Sequence, residues 1–505
     1  MHPTRSPSAS IVVAACLLAA ACGGLSDGGT EAAAGEGAGT EEGQLTLEPC
    51  QLLLPGQALR VPAECGTLSV PEDRSRADGR RVSLAVAVLR AVQRQPEPDP
   101  LFLLAGGPGQ AATEAFLPLL GALRSIRQER DLVLVDQRGT GDSNPLDCEL
   151  GPDGELATLS DEEQEERLTA CLEEWEADPR FYHSQIAMED LDEVRRALGY
   201  ERINLYGVSY GTRAALTYAR KFPRRVRSLI LDAVVPQDLV LGVDWARDAQ
   251  RSVDLIFRRC RESSPCRQAF PDLEGTFEEL LTTLDSNPVE VELRHPESGE
   301  STSVEVDGET VAVLVQRLCY SPETVALLPL LLHGAVHDGR LDALASQALT
   351  TGASFGSMSV GMTLSVLCAE DEPFMDEDEA AEASRGYFLG DYQPRTLRRL
   401  CAFWPRGQVD ASFKAPFESP VPALLLSGEA DPVTPPAYGD RVAEGLPNSL
   451  HLVAPGLGQN VLSRGCIPRL AEEFLESGSA AGVDPSCVGE IEPPPFFVSP
   501  AGPSP

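Results

Sequence analysis

At 505 residues, with 42% hydrophobic side chains, the chain is long enough for two or three ordinary domains, or for one large domain carrying an insertion. A formal charge of −36 and an isoelectric point near 4.5 exclude nucleic acid and anionic membrane surfaces as natural partners, because like charges repel. No Cys-x-x-Cys pair occurs, which leaves structural zinc and thioredoxin-like chemistry without support; no cofactor or metal is expected.

The N-terminus carries Arg5, an uncharged apolar run over 11–21 and then Cys22. A membrane-spanning helix needs about 20 apolar residues, so this run suits the core of a signal peptide instead. Ala19, Ala20 and Ala21 ahead of Cys22 resemble a bacterial lipobox, with Val13-Ala14-Ala15-Cys16 as a competing match that leaves almost no apolar core before it. Residues 1–21 are therefore expected to be removed and Cys22 lipidated; an ordinary secretory signal is the alternative. Residues 22–44, rich in Gly, Ala, Ser, Thr and Glu, read as a flexible tether. Membrane contact would then run only through this lipid anchor.

Cysteine density agrees with export to an oxidising compartment. Spacing does not fix connectivity, but pairing neighbours gives Cys50–Cys65, Cys148–Cys171, Cys260–Cys266, Cys368–Cys401 and Cys466–Cys487, leaving Cys319 as a buried free thiol.

Strands are expected at 66–70 and 82–89, followed by the continuous apolar runs 101–104 and 132–135, which suit parallel strands buried on both faces. A helix is expected between those runs, over 111–128, and another over 188–198. The strand ending at Tyr206, the helix running to Phe222 and a further strand at 228–232 continue the alternation. The pattern predicts an α/β fold with a doubly wound, mostly parallel sheet, whose ligands gather at the carboxyl ends of the strands. Residues 45–236 form its first part. Residues 237–420 read mainly as helices, with one hairpin over 289–306, and are expected to be a cap inserted over the strand ends. Residues 421–490 restore buried strands at 423–427 and 450–453, and the proline-rich segment 491–505 is expected to be disordered.

The chemistry centres on Gly207-Val208-Ser209-Tyr210-Gly211, placed between a strand and a helix: a nucleophile elbow, with Ser209 on a sharp turn. An elbow serine needs an oxyanion hole, an acid and a base. Gly106-Gly107-Pro108-Gly109 follows the 101–104 strand, and since Pro108 has no N–H, Gly107 is the expected donor, paired with the N–H of Tyr210. Asp431 follows the 423–427 strand and lies downstream of Ser209, which fits the order serine, acid, histidine.

These segments, with Asp136-Gln137-Arg138-Gly139-Thr140-Gly141-Asp142-Ser143, Asp431-Pro432-Val433-Thr434-Pro435 and Arg464-Gly465-Cys466, resemble the secreted tripeptidyl-aminopeptidase-like branch of the α/β-hydrolases, relatives of proline iminopeptidase. The likeness spans roughly Cys50 to Cys487. It implies a serine exopeptidase that cleaves near a free peptide N-terminus through an acyl-enzyme, with a peptide or small acyl compound as substrate. Residues 136–143 read as loop scaffolding. By the same resemblance Glu370, in Cys368-Ala369-Glu370-Asp371, is a candidate for binding a substrate ammonium. The acidic run 371–379 reads as a solvated face.

One departure outweighs the matches. The family's histidine belongs in a short Gly-His segment before the Arg-Gly-Cys, and here that segment reads Pro455-Gly456-Leu457-Gly458-Gln459-Asn460. Gln459 has no usable pKa near neutrality and cannot take a proton from Ser209. Among the other histidines, His2 leaves with the signal peptide, His295 reads as a loop residue, His333 and His337 as a helix-surface or packing pair, and His451 as structural. His183, ahead of a helix at the catalytic edge, is the one substitute base worth testing. Two further functional readings stand beside an impaired exopeptidase: a noncatalytic peptide-binding protein on the same fold, and an esterase for small acyl esters.

Overall fold

The computed structural model describes residues 45–53, 60–76, 78–148, 161–294, 301–354 and 358–503. Residues 1–44, with His2 and the expected signal peptide, lipidation site Cys22 and tether, lie outside the described residues, as does His295.

Eleven strands form the described β-structure: β1 (Glu48–Leu53), β2 (Arg60–Pro71), β3 (Arg81–Leu89), β4 (Leu101–Leu104), β5 (Leu132–Val135), β6 (Ile203–Val208), β7 (Val226–Asp232), β8 (Val289–Arg294), β9 (Ser301–Val306), β10 (Ala423–Gly428) and β11 (Ser449–Ala454). Nine make one sheet, in the order β1-β2-β3-β5-β4-β6-β7-β10-β11. The β1, β2, β3 and β5 neighbours pair antiparallel, and every pairing from β5 to β11 is parallel.

The runs read as continuous apolar segments are central strands, and their side chains feed both faces. Phe102 and Leu104 of β4 and Leu425 of β10 join one core cluster, whereas Leu101 and Leu103, with Leu424 and Leu426, join the other. Helices Ser184–Ala197 and Tyr210–Lys221 cover the first face, and helix Ile467–Ser477 covers the second.

The helix expected over 111–128 is broken into Ala112–Ala115, a 3₁₀ turn Leu117–Gly121 and Ile126–Glu129. Pro118, at the start of the middle piece, removes a backbone donor and so interrupts the ladder.

The insertion packs around its own core. Helices Trp245–Glu262, Leu273–Ser286, Gly308–Leu318 and Pro322–His337 bury Val253, Phe257, Phe277, Val311 and Leu328 against the β8–β9 hairpin. A second cluster joins helix Val360–Glu370 and helix Tyr392–Cys401 to Leu168 of helix Asp161–Glu174, so the segment between β5 and β6 also contributes to the layer above the sheet.

Disulfides link Cys50–Cys65, Cys148–Cys171, Cys260–Cys266, Cys368–Cys401 and Cys466–Cys487, and Cys319 is free and buried. The proline-rich end corrects the expectation of disorder. Phe496 is buried within the cap core and the Phe497 N–H donates to the Ala326 carbonyl at 2.9 Å. Composition pointed to a chain too polar and proline-rich to fold alone, but a preformed apolar cap supplies the surface that the segment lacks.

Candidate active site

β6 ends at Val208, and Ser209 occupies the turn with φ 55° and ψ −124° before helix Tyr210–Lys221 begins. A non-glycine residue held there stores about 1–3 kcal/mol of backbone strain, which the surroundings must fix. The Ser209 N–H donates to the Asp232 carbonyl at 2.9 Å, while the Thr212 hydroxyl donates to the Ser209 carbonyl at 2.6 Å and accepts from the Val235 N–H at 2.8 Å. The flanking glycines are needed for close approach. A Cβ at Gly207 would collide with the Gly211 carbonyl, and one at Gly211 with the carbonyls of Leu104 and Ala105.

Beneath the serine, a Cβ on Gly106 would stand 3.4 Å from the Ser209 Cβ, so the 106–109 loop lies beside the nucleophile. The Gly107–Pro108 peptide is cis and Gly107 has φ 106°. The cap pins this loop from above: the Thr363 hydroxyl donates to the Pro108 carbonyl at 2.6 Å and the Ser359 N–H to the Gly109 carbonyl at 2.9 Å. Neither Ser359 nor Thr363 stood out in the sequence.

Asp431 is fully buried in the loop after β10. Its Oδ1 accepts the Val433 and Thr434 N–H groups, both at 2.8 Å, and its Oδ2 accepts the Thr434 hydroxyl at 2.6 Å. Burial nonetheless raises its pKa, against the lowering by those bonds. Arg251, from helix Trp245–Glu262, donates to the carbonyls of Glu429 and Asp431 at 2.8 and 3.2 Å and ties this loop to the cap.

Gln459 completes the group. Its Nε2 lies 3.5 Å from the Ser209 Oγ and 3.5 Å from the Thr434 Oγ1, and its backbone N–H donates to the Tyr320 carbonyl at 2.9 Å. The structure thus brings Ser209, Gln459 and the acid loop together, with the Thr434 hydroxyl on the Asp431 carboxylate. The loop beyond Gln459 is held by Asp232, at the end of β7, whose carboxylate accepts the N–H groups of Val461 and Leu462 at 3.0 and 2.9 Å and the Tyr206 hydroxyl at 3.1 Å. Burial pushes Asp232 up to about 6. An acid closing the apolar run Leu229-Ile230-Leu231 was its signal in the sequence.

Glu370 requires a correction. It is fully buried, its Oε1 accepts the Ser184 N–H at 2.6 Å and its Oε2 the Ser184 hydroxyl at 3.0 Å. Its carboxylate holds the first turn of helix Ser184–Ala197 and has no face toward an incoming ammonium. The Ser184 Oγ in turn meets the Tyr210 hydroxyl at 2.8 Å.

His183 is buried beside the backbone of residue 180 and Gly407, burial pulls its pKa down to about 4, and its Nδ1 has no hydrogen-bond partner. No contact joins it to Ser209. His451 bridges Ser427, through Nε2 at 2.9 Å, and Asp440, through Nδ1 at 2.8 Å. That serine lies buried within β10 rather than on a turn, so the three residues tie β10, β11 and helix Pro436–Glu444. His333 stacks with His337 and Phe270 at 4.4 and 5.3 Å between ring centroids. Among the described residues no cluster of His, Cys, Asp and Glu is arranged to hold a metal. The 136–143 loop is a structured turn: Asp136 accepts from the Thr113 N–H and hydroxyl, and Arg138 is paired with Asp190.

A serine raised on a strand–turn–helix at the carboxyl edge of this sheet defines an α/β-hydrolase. The family pattern described as alpha/beta hydrolase fold matches residues 99–269, and the one described as TAP-like protein matches residues 387–487. The chain belongs to the TAP-like branch of the α/β-hydrolases. Among curated relatives it is 26% identical over 480 residues to the serine protease Hip1 of Mycobacterium tuberculosis (strain ATCC 25618 / H37Rv), covering 86% of this chain and 88% of that one. It is 26% identical over 408 residues to the putative hydrolase YuaR of Escherichia coli (strain K12), covering 75% and 79%. A tripeptidyl aminopeptidase of Streptomyces lividans is 30% identical over 194 residues, covering 35% of this chain and 36% of that one.

Proposed function

We propose that the chain is an exported peptidase-fold protein that binds peptides near a free N-terminus and turns them over only vestigially. The observation that carries this reading is Gln459, whose amide Nε2 faces the Ser209 Oγ at 3.5 Å where a general base is required. In the acyl-enzyme route the Ser209 Oγ bonds to the scissile carbonyl carbon while its proton passes to a base, which later delivers it to the leaving amine. An amide N–H donates a hydrogen bond and accepts no proton, so that transfer has no acceptor. In subtilisin, removal of the triad histidine costs about 10⁶-fold in kcat.

The remaining parts suit binding. In this reading Gly107 and Tyr210 supply backbone N–H groups for a substrate carbonyl, and Asp431 keeps the Thr434 turn in place beside Gln459. The peptide substrate class comes from the names of the relatives, two of which are a serine protease and a tripeptidyl aminopeptidase. Export is supported by the five disulfides, and anchoring through lipidated Cys22 by the sequence around it. No helix among the described residues is long and apolar enough to cross a membrane.

The test is to measure binding and turnover of unblocked tripeptide amides by the unaltered chain and by Ser209→Ala. Saturable binding, with turnover the same in both, is expected. Turnover that Ser209→Ala abolishes would overturn the reading.

A further inference from the structure

We infer that the segment 491–498 is a strap that sets the position of the loop carrying Gln459, with Arg259 and Phe496 as its positioning residues. The segment lies beyond the family-matched stretch that ends at residue 487, and it touches both ends of the loop. At one end, Gly465 has φ 52°, and a Cβ there would stand 2.8 Å from the Ile491 Cγ1. At the other, Gly456 has φ 62°, and a Cβ there would stand 2.8 Å from the Pro493 Cγ and 3.4 Å from the Arg259 Nη1. Neither glycine leaves room for a side chain between loop and strap.

Arg259 joins the three parts. It belongs to cap helix Trp245–Glu262, and its Nη1 donates to the Gly456 carbonyl at 3.2 Å. Its guanidinium carbon lies 4.2 Å from the centroid of the Phe496 ring, and its buried Nη2 has no hydrogen-bond partner, so the ring face is what that side of the cation meets. Phe496 is itself seated in the cap core, and the next residue is fastened by the Phe497 N–H to the Ala326 carbonyl at 2.9 Å. The strap therefore runs from the core at Gly465, past Gly456, to helix Pro322–His337 of the cap. Inside the loop, the Gln459 backbone N–H is held by Tyr320, from the same cap, and Val461 and Leu462 by Asp232, while the loop after β10 takes the Gly456 N–H on the Glu429 carboxylate and donates the Ala430 N–H to the Leu457 carbonyl, both at 2.8 Å. With cap and strap holding the outer side and Asp232 the inner side, the amide of Gln459 is kept beside Ser209.

The loop's placement is independent of what Gln459 does chemically; only the consequence for turnover rests on the function proposed above. Hydrogen exchange is measured on the full chain, on a chain ending at Glu490 and on Phe496→Ala and Phe496→Trp, following a peptide covering residues 455–465 and one covering β6. The expected result is exchange about tenfold faster in 455–465 for the shortened chain and Phe496→Ala, unchanged β6, and recovery in Phe496→Trp, since local opening is read separately from global unfolding. Should the shortened chain not fold, Phe496→Ala decides. Loop exchange equal to the unaltered chain, or an equal acceleration in β6, overturns the inference. In a Gln459→His background, Phe496→Ala is expected to lower kcat with KM unchanged. If Gln459→His is itself inactive, the function proposed above fails while the exchange result still decides the strap.

Discussion

Replacing Gln459 by histidine is the most informative perturbation of this site. Glutamine Nε2 and histidine Nε2 are each three bonds beyond Cβ, so an imidazole on the same backbone reaches the place from which the amide now lies 3.5 Å from the Ser209 Oγ. Restoring a base is worth up to about 10⁶-fold, about 8 kcal/mol of barrier at 1.36 kcal/mol per tenfold. The gain here should be smaller, because the Asp431 Oδ2 is bonded to the Thr434 hydroxyl at 2.6 Å and must turn to the imidazole Nδ1. Without an orienting acid a triad loses about 10⁴-fold, so Gln459→His should raise kcat/KM by at least about 10²-fold even if Asp431 stays where it is. Release of p-nitroaniline from tripeptide anilides with a free N-terminus measures it, with N-acetylated controls. Adding Asp431→Asn should then remove most of the gain, and adding Ser209→Ala all of it. No gain in Gln459→His would refute the assignment of this loop as the seat of the base.

Further outcomes concern stability. Arg213 Nη1 pairs with the Asp371 Oδ2 at 2.9 Å in a fully buried contact that also takes the Lys414 Nζ at 2.7 Å, so Arg213→Met, which leaves Asp371 with Lys414 as its counter-ion, should cost about 1.5–3 kcal/mol in urea unfolding through the lost charged hydrogen bonds. Gly211→Ala, whose Cβ would collide with the Leu104 carbonyl, should lower stability by about 3 kcal/mol, read by the same denaturation. Burial pushes Asp136, Asp232 and Asp248 up to about 6. Because these native values lie above the unfolded value of about 3.9, the native state holds more protons between roughly pH 4 and 6, and stability falls as pH rises through that window. The urea midpoint should be lower at pH 7.5 than at pH 5; a higher one would contradict the assignment.

The sheet was legible because its central strands are buried on both faces and so read as unbroken apolar runs, as in Leu101–Leu104 and Ala423–Gly428. The positions of Ser209 and Asp431 were legible because each follows such a strand, whereas Gln459 follows the half-buried edge strand β11 and was legible through the family's Gly-His segment ahead of Arg464-Gly465-Cys466. What escaped is nonlocal. Glu370 looked available as a carboxylate, and only the fold brings Ser184 onto it across 186 residues. His183 sits at the head of the expected helix, but its ring turns into a buried site beside Gly407. The tail's prolines masked Phe496, whose pocket is made by cap helices more than 150 residues upstream in the chain. Pro118 is a local signal for the break in the 111–128 helix, set within apolar residues that keep helical spacing on either side of it.

The central claim is that Ser209 faces a group that cannot accept its proton. The pH dependence of Ser209 labelling by a fluorophosphonate reads that directly. With no titrating base the labelling rate should rise tenfold per pH unit across pH 5–9 without a plateau, as hydroxide takes the proton, whereas Gln459→His should level off above the imidazole pKa of about 6.5. A sigmoidal profile centred near neutrality in the unaltered chain would show that another residue serves as the base, and would contradict the account.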